Sequence, residues 1–278
     1  MAGFFNIDSP FMQGLNKLAD LLILNLLTII FFVPAYIIGV GAMSSVGLFE
    51  ALLMCVPLTF PCGAAITALN YMVLKIVRDE ETYIVKGYFK SFKLNFKQAT
   101  AIWYIGVAIV VLLAFDFKII AASAQDVPEW LPFGLIAVSV IVYILGIHAF
   151  PLLAKFDNTV FKTIKNSVLV GLMTFPKTVL MAAICALPLA IVYFFEKQMA
   201  PILILLGFSG PAFLCALLYN KTFKKLEPQP EVVEDPDAWF IEPIEDETDD
   251  SASKSIKEDE GDAPELDASE TAGETAED

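Results

Sequence analysis

The chain has 278 residues, 57% of them hydrophobic, and a mean hydropathy of +0.67. Soluble domains sit near about 45–50% apolar, so the excess needs lipid to face, and a soluble globular fold is excluded. The net charge of −14 divides unevenly: residues 1–226 hold 16 Lys and Arg against 11 Asp and Glu, residues 227–278 hold 2 against 21, and neither part carries the basic footprint of a nucleic-acid binder.

The first predicted element starts at Asp8-Ser9-Pro10, a capping side chain followed by proline in a first helical turn. Phe11, Leu15 and Leu18 recur at helical spacing, which predicts a short interfacial helix over residues 9–19. No basic stretch precedes the first apolar run, and that run is long enough to stay as a helix, so no cleavable signal peptide is expected.

Six stretches then follow without a single Asp, Glu, Lys or Arg: 21–49, 51–74, 98–115, 130–154, 178–195 and 198–220. A helix needs about 20 mostly apolar residues to cross a bilayer, so each run predicts one spanning helix, near 20–43, 51–76, 98–121, 130–154, 177–196 and 199–221. Lysine and arginine collect in alternate gaps: six lie around the second gap, four around the fourth and three after the sixth, against none or one in the others. Cytoplasmic loops are rich in these residues, so both termini are expected in the cytoplasm. The expected fold is an all-α membrane domain over residues 1–226, with about six spans, short interfacial helices and a disordered acidic cytoplasmic tail over 227–278.

Proline and glycine punctuate the runs. Pro34, Gly39 and Gly41 fall in the first, Pro57, Pro61 and Gly63 in the second, and Pro151 in the fourth. Pro57, Pro61, Gly63 and Pro151 are candidate helix-break positions. They read either as plain kinks or as the broken helices of a transport site.

The segment 78–98 is the most ordered polar stretch. Lys86, Lys90, Lys93 and Lys97 fall on one helical stripe, with Phe89, Phe92 and Phe96 beside them. Aromatic residues next to lysines that reach for the headgroups predict an interfacial amphipathic helix. Lys86, Phe89, Lys90, Phe92, Lys93 and Phe96 are candidate contacts for a cytoplasmic partner. In the tail, Trp239 and Phe240 stand in an acidic surround and are candidate docking residues.

Little points to catalysis or ion coupling. Carboxylates are absent from mid-run positions, where a proton-coupled carrier is expected to hold one. His148 is the single histidine, and a hydrogen bond to a neighbouring helix explains it. Cys55, Cys62, Cys185 and Cys215 lie in apolar runs without metal or disulfide spacing and read as packing residues. No cofactor, metal or enzymatic activity is expected.

Several stretches carry a resemblance. They are Gly3 through Met12 with Leu15 through Leu21, Gly63 through Leu69 leading to Lys75 through Glu81, Phe150 through Asn158, and Asn220 through Leu226. Together they resemble the YesL-like family of bacterial membrane proteins, a domain of unknown function. The resemblance marks residues 29–52 as an addition between parts the family joins closely, and it supplies no catalytic residues. It implies a multi-pass protein of the bacterial inner membrane, associated with a carbohydrate ABC transport system. The expected function is that of an accessory or regulatory partner of that system's permease or ATPase. The alternative is a transporter or channel in its own right.

Overall fold

The computed structural model describes residues 9–43, 45–80, 83–123, 128–195 and 200–227. Of these 89% are helical, and no strand occurs among them. The helices are α1 (Pro10–Met43), α2 (Leu48–Cys55), α3 (Cys62–Val77), α4 (Ile84–Ala122), α5 (Trp130–Gly146), α6 (Ala149–Lys155), α7 (Val160–Met173), α8 (Phe175–Phe195), α9 (Ala200–Leu206) and α10 (Ser209–Leu226). A 3-10 turn, Val56–Thr59, joins α2 to α3. The chain divides into two units, residues 1–228 and 229–278. The second unit, with the expected tail and its Trp239 and Phe240, lies outside the described residues.

Three helical stretches are long and apolar enough to cross a membrane: Phe11–Met43, Ile84–Ala122 and Trp130–Lys155. Two bent pairs, α2 with α3 at 64° and α7 with α8 at 108°, raise the number to five if each is one span. The sixth apolar run does not form one helix. It breaks after Leu206 into α9, too short to cross, and α10, whose last turns carry Lys221, Lys224 and Lys225. Among the described residues the protein is all-helical, with three to five candidate spans of a multi-pass membrane protein.

Two predicted interfacial helices are absorbed into longer ones. Ser9 does cap a helix, accepting a hydrogen bond from Met12 N at 3.3 Å, but that helix is α1 itself. Nothing between Ala19 and Leu21 breaks it, and Lys17 is accommodated by an ion pair with Asp79 at 2.5 Å. Pro34 lies inside α1 without ending it. The stretch 78–98 likewise flows into the following span: Ile84–Ala122 is one helix of 39 residues. At 1.5 Å per residue it is roughly 58 Å long, about twice a hydrocarbon core of about 30 Å. Its uncharged half begins near Gln98, so the lysine-bearing half extends beyond the bilayer as a continuation of the span.

The core sits beside that lysine-bearing half. Twelve of the 16 residues of α3 are buried, because α1, α4, α6 and α10 enclose it. Leu24, Met72, Val73, Tyr88, Met181, Tyr219 and Phe223 interlock around it. A helix apolar all round belongs in such a centre. The far half of α4, with α5, instead turns Val110, Leu112, Phe133 and Ile141 outward, where lipid satisfies them.

Candidate functional site

The lysine-bearing ends of the helices meet in one polar cluster. At the C-terminus of α3, Asp79 takes the left-handed conformation, φ 56°, and lets the chain reverse. Asp79 N then donates to Ile76 O and Glu80 N to Lys75 O, a Schellman ending that leaves Arg78 as the cap residue. The Arg78 side chain is only 9% exposed. Its Nε donates to Asn220 Oδ1 at 2.9 Å and its Nη2 to Glu227 Oε1 at 2.6 Å. Lys155 Nζ, from the end of α6, stands 3.4 Å from the same Glu227 oxygen. Three helices distant in sequence are thereby tied at one point. The Arg78 hydrogen bond, and the positive charges of Arg78 and Lys155, hold the Glu227 carboxyl below the usual carboxylate range. Lys17–Asp79 and Lys75–Glu80 border the cluster. At the other end of the bundle, Lys118 pairs with Glu50 and lies over the Phe49 ring.

Beside this cluster runs the stripe on α4. Lys86, Phe89, Lys90, Lys93 and Lys97 are exposed. Phe92 and Phe96 turn inward instead: Phe92 stacks on Phe31 at 4.8 Å between ring centres, and Phe96 packs against Phe92 and Phe60. The stripe therefore presents lysines with one exposed aromatic, and the other two aromatics join α4 to α1 and to the α2–α3 turn. A notch of about 60 Å³ opens between Lys90, Ser91 and Asn95 on one side and Lys155 and Asp157 on the other.

The candidate break positions have distinct roles. Pro57 lies in the 3-10 turn and Pro61 caps α3, so both sit where α2 and α3 part. Pro151 falls in the first turn of α6, just after the break at 147–148. Gly63 breaks nothing: it is inside α3, buried where α4 crosses closely.

At each interruption, neighbouring side chains satisfy freed backbone groups, as a lipid environment requires. Asn25, fully buried on α1, serves the α9–α10 break. Its Oδ1 accepts from Phe208 N at 2.8 Å and Ser209 N at 2.9 Å, and its Nδ2 donates to Ile204 O at 2.7 Å. Ser167 donates to Leu145 O at 2.8 Å at the end of α5. Thr100 donates to Phe60 O at 3.1 Å beside the α2–α3 turn. Thr178 Oγ1, at the α7–α8 bend, lies within bonding distance of Gly171 O and Thr174 O, and of His148 Nε2 at 3.0 Å. His148 is thus a buried hydrogen-bonding residue against a neighbouring helix. The groove by Pro57, about 310 Å³, is lined mainly by apolar residues such as Leu53, Val107 and Val111.

Sequence reasoning passed over Asn25, Asn220 and Glu227, and treated Arg78 as one more loop cation. A signal was present: Arg78 is the only arginine in the chain, every other cation of this class being lysine. Only Arg offers a planar set of donors that can hold an amide and a carboxylate together in a nearly dry site.

Among known proteins, no curated protein and no solved structure matches the chain. A family model described as "Protein of unknown function, DUF624" matches residues 21–117, from the first half of α1 to near the end of α4. That stretch holds the Arg78 cap, the α4 stripe and the Asn25 side chain, and it agrees with the YesL-like resemblance. Residues 21–117, about a third of the chain, are thus similar to the family of unknown function DUF624.

Proposed function

We propose that this is an accessory or regulatory membrane protein whose lysine-bearing end faces the bacterial cytoplasm and docks to a partner in the same membrane. The observation that supports this most is the shape and charge of α4. A helix about twice the length of the bilayer core carries Lys86, Lys90, Lys93 and Lys97 outward on the half that lipid does not need. Phe89 among them adds an apolar anchor of the kind interfaces use. The YesL-like resemblance names the partner class to test, the permease or ATPase of a carbohydrate ABC transport system. No reaction and no cofactor enter this reading.

The side-chain closures at the helix breaks favour it over a carrier. A transport site keeps unwound backbone open to substrate. Here Asn25, Ser167, Thr100 and Thr178 occupy backbone groups at the breaks.

The test is co-purification in mild detergent of the tagged protein with the ABC components of its own membrane. Replacing Lys86, Lys90, Lys93 and Lys97 with Glu together should lower recovery of the partner at least tenfold, while removing Phe92 should act through folding yield instead. Tenfold corresponds to about 1.4 kcal/mol of binding. Unchanged recovery with the charge-reversed stripe would remove the idea.

A further inference from the structure

We propose that Arg78, Lys155 and Asn220 form a binding site for an oxyanion of the phosphate class, which the protein's own Glu227 fills in cis. The donors come from three elements: the cap of α3, the last residue of α6 and the side of α10. They converge on a carboxylate from the first residue beyond α10, where the backbone is extended, φ −68° and ψ 139°. Glu227 is the C-cap of α10, its N–H donating to Phe223 O at 3.0 Å, and its side chain is delivered where the chain leaves the helix.

Arg78 is 9% exposed at its side chain, so most of its water has been replaced by these two partners. A guanidinium so placed needs an anion, because breaking a buried pair leaves an uncompensated charge. Two cations face one carboxylate oxygen, from 2.6 and 3.4 Å, so the Glu227 carboxylate offsets one of their two charges. A phosphate group, with more oxygens and more charge, satisfies both cations better than a single carboxylate does. Lys155 also borders the notch lined by Lys90, Ser91, Asn95 and Asp157, so one donor of the site is reached from an open surface. Of the other carboxylates nearby, Asp79 and Glu80 pair with Lys17 and Lys75, and Asp157 lines the notch with Lys90 and Lys155. Glu227 is thus the competitor, and its displacement would free the root of the acidic tail.

The phosphate can be free in solution or belong to a lipid headgroup, and the two are separable. Full-length protein and Glu227→Gln are measured with inorganic phosphate in detergent by calorimetry, and in nanodiscs of phosphatidylglycerol against phosphatidylcholine by counting retained lipid in native mass spectrometry. Removing the competitor should tighten one of the two probes about tenfold, equivalent to about 1.4 kcal/mol. A gain with inorganic phosphate identifies a soluble ligand, and a gain confined to phosphatidylglycerol identifies a headgroup. The gain should disappear in Glu227→Gln combined with Arg78→Gln. Should that variant fold poorly, Glu227→Gln with Lys155→Gln keeps the buried guanidinium and should lose most of the gain. No gain with either probe, or a gain that survives the Lys155 change, overturns the proposal.

Discussion

At the scale of single residues, two buried polar side chains decide more than the many exposed charges. Asn25 closes three hydrogen bonds at the α9–α10 break. Replacing it with Leu strands the N–H groups of Phe208 and Ser209 in an apolar setting. Orphaned donors cost about 1–3 kcal/mol, against about 0.6 kcal/mol for an average hydrogen bond between membrane helices. The expected loss lies toward the upper figure. Asn70 provides the contrast, since its Nδ2 donates only to Ile66 O within its own helix. Unfolding in detergent should show Asn25→Leu destabilised by roughly 2 kcal/mol or more and Asn70→Leu by less than about 1 kcal/mol. Equal losses would mean that the break is not held by Asn25. Neither asparagine stands out in sequence, because both lie within uncharged runs, and only the fold distinguishes a residue that bonds its own turn from one that closes a gap 179 to 184 positions away. Arg78 was more legible, being the sole arginine, yet its partners Asn220 and Glu227 are fixed by tertiary contact alone.

At the scale of elements, the close crossing of α3 and α4 organises the lysine-bearing half. A Cβ placed on Gly63 would lie 2.5 Å from Ala99 O and 2.6 Å from Trp103 Cβ. Backbone cannot yield as a flexible side-chain end does, so Gly63→Ala should push the helices apart at a cost of about 1–3 kcal/mol. Gly106, further along α4, has nothing within 4 Å of such a Cβ, so Gly106→Ala should be neutral or stabilising by up to about 1 kcal/mol. Thermal unfolding of both variants checks the pair, and equal behaviour would contradict the crossing. Absence of charge and helical length are local properties, so the apolar, all-helical character was legible in the sequence. Sequence reading misread Gly63 as a break, since a close approach depends on the partner helix. It also divided α1 and α4 at their charged residues, although charge alone does not stop a helix when no proline or capping residue intervenes. The sixth run is divided for the opposite reason: its apolar composition is continuous, but the helix breaks after Leu206, where Asn25 supplies the partners.

At the scale of the whole molecule, the functional account depends on which end faces the cytoplasm. Lysine-rich ends of α1, α3, α4, α6 and α10 are gathered at one side, with Glu50 and Lys118 at the other. Lysine enrichment marks the cytoplasmic side of a membrane protein, and the docking stripe requires that assignment. The direct measurement is labelling of single cysteines by a membrane-impermeant maleimide in intact cells, with Cys55, Cys62, Cys185 and Cys215 replaced. Lys93→Cys and Lys225→Cys should stay unlabelled until the membrane is permeabilised, while Lys118→Cys should label at once. Labelling of Lys93→Cys in intact cells, with Lys118→Cys protected, would contradict the account.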